Sequence, residues 1–441
     1  MPSNGHKQLK IAVIGGGSTY TPELIEGFLA RRDELPVGEV WLMDLPEAEE
    51  KLRIVAGLAE RMSARCGRPF AVIQTTDRRA ALDGADFVIT QMRVGQLAAR
   101  IRDERIPLSH GVIGQETTGP GGFANALRTI PVVLAICRDL AELAPEAWLI
   151  NFANPSGLVT EAVTRYTKVK VVGLCNVPLN MQAGLAKAFG VDPAEIYVEF
   201  VGCNHLVWAN RVFCRGVEVT ERAIELTAED PALNMKNIPH RTWSRDFLLS
   251  LGAIPCGYHR YYYLTKEILA ELLEAEAAGR PTRGEVVREV EAELLRLYQD
   301  PGLDHKPEAL AKRGGALYSE AAVRLISSLH HDRRDIQCVD TTNRGALADL
   351  LPEAVVEVNC VITAQGPQPI AVGHLRPQLR GLLQQVKAYE ELTVEAAVTG
   401  DRGLALQALA AHPLVPSISV ARALLADLLG ANRDFLPQFK I

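Results

Sequence analysis

A chain of 441 residues can bury a large core and most naturally divides into two intimately joined domains. Its 48% hydrophobic and 23% charged residues are ordinary for a soluble globular protein. A formal net charge of -6 without a basic block gives no electrostatic reason to expect nucleic acid or a membrane surface as partner, so a small molecule is the expected ligand. The eight cysteines (Cys66, Cys137, Cys175, Cys203, Cys214, Cys256, Cys338, Cys360) have no CxxC spacing, which argues against a zinc module and a disulfide framework and for reduced, mostly core thiols. No uninterrupted apolar run reaches transmembrane length. The first residues, "MPSNGHKQLK", lead into the strand "IAVIGGG" with no room for the apolar region of a signal peptide, so a cytoplasmic location is expected.

Through residue 176, apolar runs alternate with helical patterns. "LKIAVIG", "EVWLMDL", "FAVIQTT", "ADFVITQM", "AWLINFAN" and "KVKVVGLCN" read as buried strands, separated in several places by stretches such as "PELIEGFLARR" and "ANALRTIPVVLAICRDLAELA". This alternation predicts a Rossmann-like, doubly wound and mainly parallel sheet. In "AVIGGGSTYTPEL", Gly15 and Gly17 fall at a strand-to-helix turn, where missing side chains let backbone N–H groups approach a pyrophosphate at the helix N-terminus. Tyr20 stands where the usual third glycine would be. Asp44 ends the next strand, placed to bind ribose hydroxyls and to repel the phosphate of NADP, so NAD is the expected cofactor.

Cys175 and Asn176, in "VVGLCNVPLN", lie at the carboxyl end of an interior strand, where open parallel sheets bind ligands. Beyond "NMQAGLAKAF" the pattern changes. "IYVEFVGCNHLVWANRVFCRGVEVT" and "VVEVNCVITAQGPQPIAV" read as antiparallel strands, among long helical patterns such as "KEILAELLEAEAAG", "GEVVREVEAELLRLYQD" and "GLLQQVKAYEELTVEAAVTG". The expected domains are therefore 1–176, binding NAD, and a mixed α+β unit over 177–441 that binds substrate and metal and shares the active site with the first. "GCNHLVW" supplies His205. A thiolate and an imidazole are both competent ligands for a borderline divalent metal, and two protein ligands leave positions open for a chelating substrate. Taken singly, Cys175 is better read as a buried core thiol and His205 as a satisfied core histidine.

The segments "IAVIGGGSTYTPEL", "QMRVGQ", "IGQETTGPGGF", "NFANPSG", "GLCNVP", "GCNHLVW", "YHRYYY" and "KRGGALYS", collinear over nearly the whole chain, resemble glycoside hydrolase family 4, the NAD- and metal-dependent glycosidases. The resemblance implies a fold related to lactate and malate dehydrogenases, NAD and Mn(II) or another divalent metal as cofactors, and a homo-oligomer, dimer or tetramer. In that family an aspartate after the metal-binding cysteine accompanies α-glucosides, whereas "CNVP" is similar to the 6-phospho-β-glucosidases. Asn176 cannot act as an acid and would hydrogen-bond sugar hydroxyls.

The chemistry so implied departs from the two-carboxylate route of most glycosidases. Hydride leaves carbon 3 of the sugar for NAD+, the resulting ketone acidifies the proton on carbon 2, a base removes it, and elimination expels the glycosidic oxygen. Water then adds, and the returning hydride restores carbon 3 with retained anomeric configuration. By resemblance, Cys175 and His205 hold the metal and Tyr258 is the base, with Tyr262 its rival and Tyr261 and Tyr263 packing at the start of the next helix. A phenol, with an ordinary pKa of about 10, needs the metal or a cation such as Arg260 to act near neutral pH. Arg93 and Arg313 match positions near the substrate and suit bidentate phosphate binding, with Ser18 adding a hydroxyl. Asn154 would hold a sugar hydroxyl, a turn residue being the competing reading. Glu116 is the candidate for assisting leaving-group protonation. Two other classes stand beside this reading: a 2-hydroxyacid dehydrogenase, which has no task for the Cys175 and His205 pair, and a non-catalytic NAD-sensing protein, which needs neither metal pair nor tyrosine.

Overall fold

In a computed structural model, described over residues 8–229, 242–313 and 317–440, every strand expected before residue 176 forms. They are β1 (Leu9–Ile14), β2 (Val37–Met43), β3 (Ala71–Thr75), β4 (Phe87–Thr90), β5 (Trp148–Asn151) and β6 (Lys170–Gly173). All their mutual pairings are parallel. The apolar runs at their centre are buried on both faces, as a sheet covered by helices on either side requires. The order β3-β2-β1-β4-β5-β6 reverses direction between β1 and β4, so a crevice opens at the carboxyl ends of those two strands.

After the helix Val177–Phe189, a second sheet begins with β7 (Ile196–Cys203), β8 (Leu206–Cys214), β9 (Val217–Glu218) and β10 (Ile254–Pro255), all antiparallel. The later strands β11 (Ile336–Thr342), β12 (Val355–Thr363) and β13 (Gly366–Pro369) do not join it. They extend the first sheet, β11 lying antiparallel beside β6, to give nine strands in all. The expected division at residue 176 thus marks the end of the parallel strands, while the sheet itself is completed by residues from the far half of the chain. Asn359 on β12 ties the two sheets together: its Oδ1 accepts from the Phe200 N–H at 2.7 Å and its amide donates to the Val198 carbonyl at 3.0 Å.

The helix Gly119–Leu143 is the one, among the described residues, long and apolar enough to cross a membrane; here it is largely buried within the protein. It anchors the helix Gln96–Ser109 through a bidentate ion pair buried on both sides, Arg128 donating to Asp103 at 2.9 and 2.6 Å.

The seam between parallel and antiparallel strands is the single pairing of Gly173 with Asp340. A Cβ on Gly173 would strike the Thr160 hydroxyl and lie 2.8 Å from the Asp340 Cβ. Asp340 is fixed in turn by the Ser156 hydroxyl, which donates to it at 2.7 Å. Gly173→Ala should therefore destabilise the protein by about 1–3 kcal/mol through overpacking. A urea midpoint equal to that of the unmodified protein would show that the seam tolerates a side chain.

Candidate active site

The ends of β1, β2, β4, β5 and β6, with turns and loops farther along the chain, carry the expected residues. At the end of β1, the Gly15 and Gly16 N–H groups both donate to the Met43 carbonyl, at 2.9 and 2.8 Å, drawing the turn against β2. Gly15 has φ +89°, and a Cβ there would lie 2.7 Å from the Met92 nitrogen. The Gly17 N–H donates to Asp44 Oδ2 at 2.9 Å, where a Cβ would lie 2.8 Å from the same oxygen. A cradle that leaves no room for side chains, with a carboxylate at its β2 side, fits a dinucleotide with free ribose hydroxyls.

Ser18 continues that turn. Its hydroxyl oxygen accepts from Arg313 Nη1 at 3.4 Å. The Arg313 guanidinium also sits 4.6 Å above the Tyr20 ring, so the residue standing in place of the third glycine is the platform of a cation–π contact. Arg93 leaves the end of β4 beside the glycine turn and is near enough to Arg313 to lower the latter's affinity for its proton, after burial, which is the main cause. Arg93 Nη1 and Arg313 Nε are buried donors without a partner. Ser18, Arg93 and Arg313 thus form one cationic corner.

On the far side of the crevice, Cys175 lies two residues past the β6 seam, buried, its sulfur accepting from the Val177 N–H at 3.5 Å. Asn176 is buried at the start of the following helix and does not cap it with its side chain. His205 sits in the two-residue turn between β7 and β8, since Cys203 pairs with Leu206, and it takes φ +62°, uncommon for a residue with a side chain. β10 pairs with β8 close to that turn (Pro255 with Trp208), which carries the next short helical turn, Gly257–His259, to the same place. As a result the Tyr258 ring stacks on the His205 ring, centroids 3.9 Å apart and planes 9° apart. Of the four tyrosines, Tyr258 is therefore the one delivered to His205. Tyr262 faces His412, Tyr263 packs on Trp243 and Phe247, and Tyr261 is buried in the core.

The electrostatics follow from burial. His205 is pushed down to about 4 by burial, with Glu116 acting weakly the other way, so its imidazole is neutral and able to ligate; its Nδ1 is buried without a partner. Burial raises the Cys175 thiol well above its ordinary range, Glu357 adding to the effect, so a cation must arrive to hold it as thiolate. Among the described residues no set of three His, Cys, Asp or Glu groups is arranged to hold a metal. The Cys175 and His205 donors nonetheless fit a divalent ion that completes its coordination with substrate or water. Burial, then Cys175 and Glu116, raise the Tyr258 phenol well above its ordinary value.

Arg260 lies over the Trp243 ring at 5.0 Å, and Cys256 and Tyr261 are among the groups that sense its charge. Arg100 on the helix Gln96–Ser109 is raised, against burial, above its ordinary range mainly by Glu116 and Glu104, with Tyr258 adding a smaller effect. At Glu116 burial would raise the pKa, but Arg100 and Arg93 outweigh it and hold the carboxyl down, at about 2. It pairs with Arg93 at 2.6 Å and Arg100 at 3.1 Å. Asn154 is half-buried after β5, next to the cis peptide to Pro155. Sequence reasoning passed over Arg100 and also Arg283, whose Nη2 donates to the Lys312 and Arg313 carbonyls at 3.2 and 3.0 Å and so steadies the segment bearing Arg313. A Thr282–Glu285 capping box starts that helix and was legible as T-x-x-E, but nothing marked the arginine inside it.

A glycine cradle at the end of the first strand of a parallel sheet, with a carboxylate at the end of the second, defines a dehydrogenase-type fold. The chain belongs to the family 4 glycosyl hydrolases: the family's sequence model matches residues 10–191 and that of its C-terminal domain residues 200–415. It is 56% identical to a probable 6-phospho-beta-glucosidase of Bacillus subtilis, covering 98% of each chain. The 6-phospho-beta-glucosidase of Thermotoga maritima, solved with NAD and glucose-6-phosphate, superposes with a TM-score of 0.90 at 36% identity, over 97% of this chain and 99% of the other. A further structure of that enzyme contains manganese, NAD+ and glucose-6-phosphate. Malate dehydrogenase of Cryptosporidium parvum, at 16% identity and a TM-score of 0.51 over 89% and 99% of the chains, shares the fold alone.

Cys175→Ser should weaken Mn(II) binding by more than about a hundredfold, since even outer-shell changes at metal sites cost roughly 10–100-fold and a neutral hydroxyl is a far poorer ligand than thiolate. Calorimetric titration with Mn(II) checks this. Unchanged affinity would remove Cys175 from the metal site.

Proposed function

We propose that this chain hydrolyses 6-phospho-β-glucosides by transient oxidation at carbon 3, proton removal at carbon 2, elimination and addition of water, with retention. The observation that carries the reading is the stacking of Tyr258 on His205, in a chain that also has a glycine cradle suited to NAD. Similarity to 6-phospho-beta-glucosidases of Bacillus subtilis and Thermotoga maritima supports the substrate class. The 2-hydroxyacid dehydrogenase and NAD-sensor readings leave that pairing without a task.

When bound, NAD provides a hydride acceptor and the divalent ion a Lewis acid for the oxygens on carbons 2 and 3. The protein's own groups do the rest. Gly15, Gly17, Ser18 and Asp44 hold the dinucleotide, and Cys175 and His205 hold the ion. Tyr258 takes the carbon 2 proton on its phenol oxygen. That oxygen is neutral in the resting protein and gains basicity only once cationic charge arrives beside it. Asn154 and Asn176 orient sugar hydroxyls. Arg93, Arg313 and Ser18 grip the phosphate on carbon 6, and this remote anchor aligns carbons 2 and 3 with base and nicotinamide. Asn176 is the feature that favours the β-linkage.

Hydrolysis of a chromogenic 6-phospho-β-glucoside should require NAD+ and Mn(II) together, and removing either should abolish it. Arg313→Ala should lose roughly tenfold to a hundredfold in kcat/KM on the phosphorylated sugar, the worth of one buried charge-assisted contact. Equal rates on glucosides with and without the phosphate would contradict the substrate assignment.

A further inference from the structure

The cationic corner is already engaged by a carboxylate. Arg93 Nη2 is 2.6 Å from Glu116 Oε2, while Arg93 Nη1 and Arg313 Nε, both buried, have no acceptor. Glu116 therefore neutralises part of the corner as an ion pair, its Oε2 making no well-aligned hydrogen bond, and leaves donors spare. Its other oxygen is 3.1 Å from Arg100 Nη2, and Arg100 also donates to Glu104 at 2.9 Å. Glu116 sits in the loop between the helices Gln96–Ser109 and Gly119–Leu143, so the carboxylate can let go of Arg93 and still keep a cationic partner.

We propose that Glu116 is an internal competitor for the phosphate corner: it closes on Arg93 when the corner is empty, yields Arg93 to the incoming sugar phosphate, and by reclosing speeds departure of the phosphorylated product. The inference rests on the reading of Arg93 and Arg313 as phosphate ligands. A phosphate brings more charge and more acceptor oxygens than a carboxylate, and it can serve Arg93 Nη1 and Arg313 Nε, which Glu116 leaves unserved. The displacement is therefore favourable, but part of the phosphate's binding energy is spent breaking the existing pair. Affinity is given up in exchange for release, which suits an enzyme whose product keeps the same phosphate anchor as its substrate. Glu116 acts through Arg93 and is a positioning residue.

The test is affinity for inorganic phosphate and glucose 6-phosphate, measured by calorimetry on the full chain with NAD+ bound, together with product inhibition by glucose 6-phosphate. Glu116→Gln should bind both ligands roughly tenfold more tightly, because Arg93 is released from a charge-assisted pair, and glucose 6-phosphate should inhibit at correspondingly lower concentration. Glu116→Asp, which restores the charge, should return affinity toward that of the unmodified protein. A merely structural role would weaken binding. In the double variant with Arg93→Gln the gain should vanish. Affinity unchanged or lowered in Glu116→Gln, or a gain that survives without Arg93, overturns the competitor role. If Arg93→Gln alone leaves both affinities intact, the phosphate assignment itself fails and takes the proposal with it, an outcome distinct from failure of the Glu116 variant alone.

Discussion

Most of the architecture hangs on one contact, the pairing of Gly173 with Asp340. It is where a parallel sheet begun by the first half of the chain accepts antiparallel strands from the last third, and no side chain fits there. Because Cys175 follows two residues later, the seam also sets the position of one proposed metal ligand. The second, His205, depends on the other sheet, and Asn359 locks that sheet against β12 through its two hydrogen bonds to β7. The candidate metal pair is thus assembled from two sheets whose relative placement is fixed by buried polar groups, and errors at either seam would separate thiol from imidazole.

Charge organises the rest. Thiol, imidazole and phenol are all held neutral by burial, and the cations available to them lie on one side, in Arg93, Arg100 and Arg313, with Glu116 among them. In the proposed chemistry such a site gains its charge from a divalent cation, the cationic nicotinamide ring and an anionic substrate. Low dielectric then works in favour of chemistry, since each new charge meets prepared partners with little water to screen it. Arg283 and Tyr20 serve this layout indirectly, one tying down the chain that carries Arg313 and the other supplying the ring beneath it.

The strands were legible because continuous apolar runs buried on both faces have no other stable fate, and the cradle was legible because Gly15, Gly17 and Asp44 are constrained locally. Cys175 and His205 stood at a strand end and a tight turn, positions where chemistry is exposed. What the sequence concealed was non-local. The run that became β12 and β13 is antiparallel in character, and pattern alone does not say which sheet it joins. Arg260 adjoins Tyr258 in the chain, yet the short helix turns it onto Trp243. Arg100 and Arg283 sit in regular helices, where an arginine reads as a solvated face, yet folding buries the first and half-buries the second. Glu116 stands in a glycine-rich loop, and the guanidinium groups of Arg100 and Arg93 that hold its carboxyl down are neighbours that no linear reading places beside it.

In the proposed reaction the glycosidic bond is broken through loss of the carbon 2 proton and not by direct displacement at carbon 1. Turnover of a 6-phospho-β-glucoside in heavy water, with NAD+ and Mn(II) present, distinguishes the two through the isotope content of the glucose 6-phosphate formed. Deuterium should appear at carbon 2 of the product, with configuration at carbon 1 retained. Product that keeps all its original hydrogen at carbon 2 would rule out proton loss there.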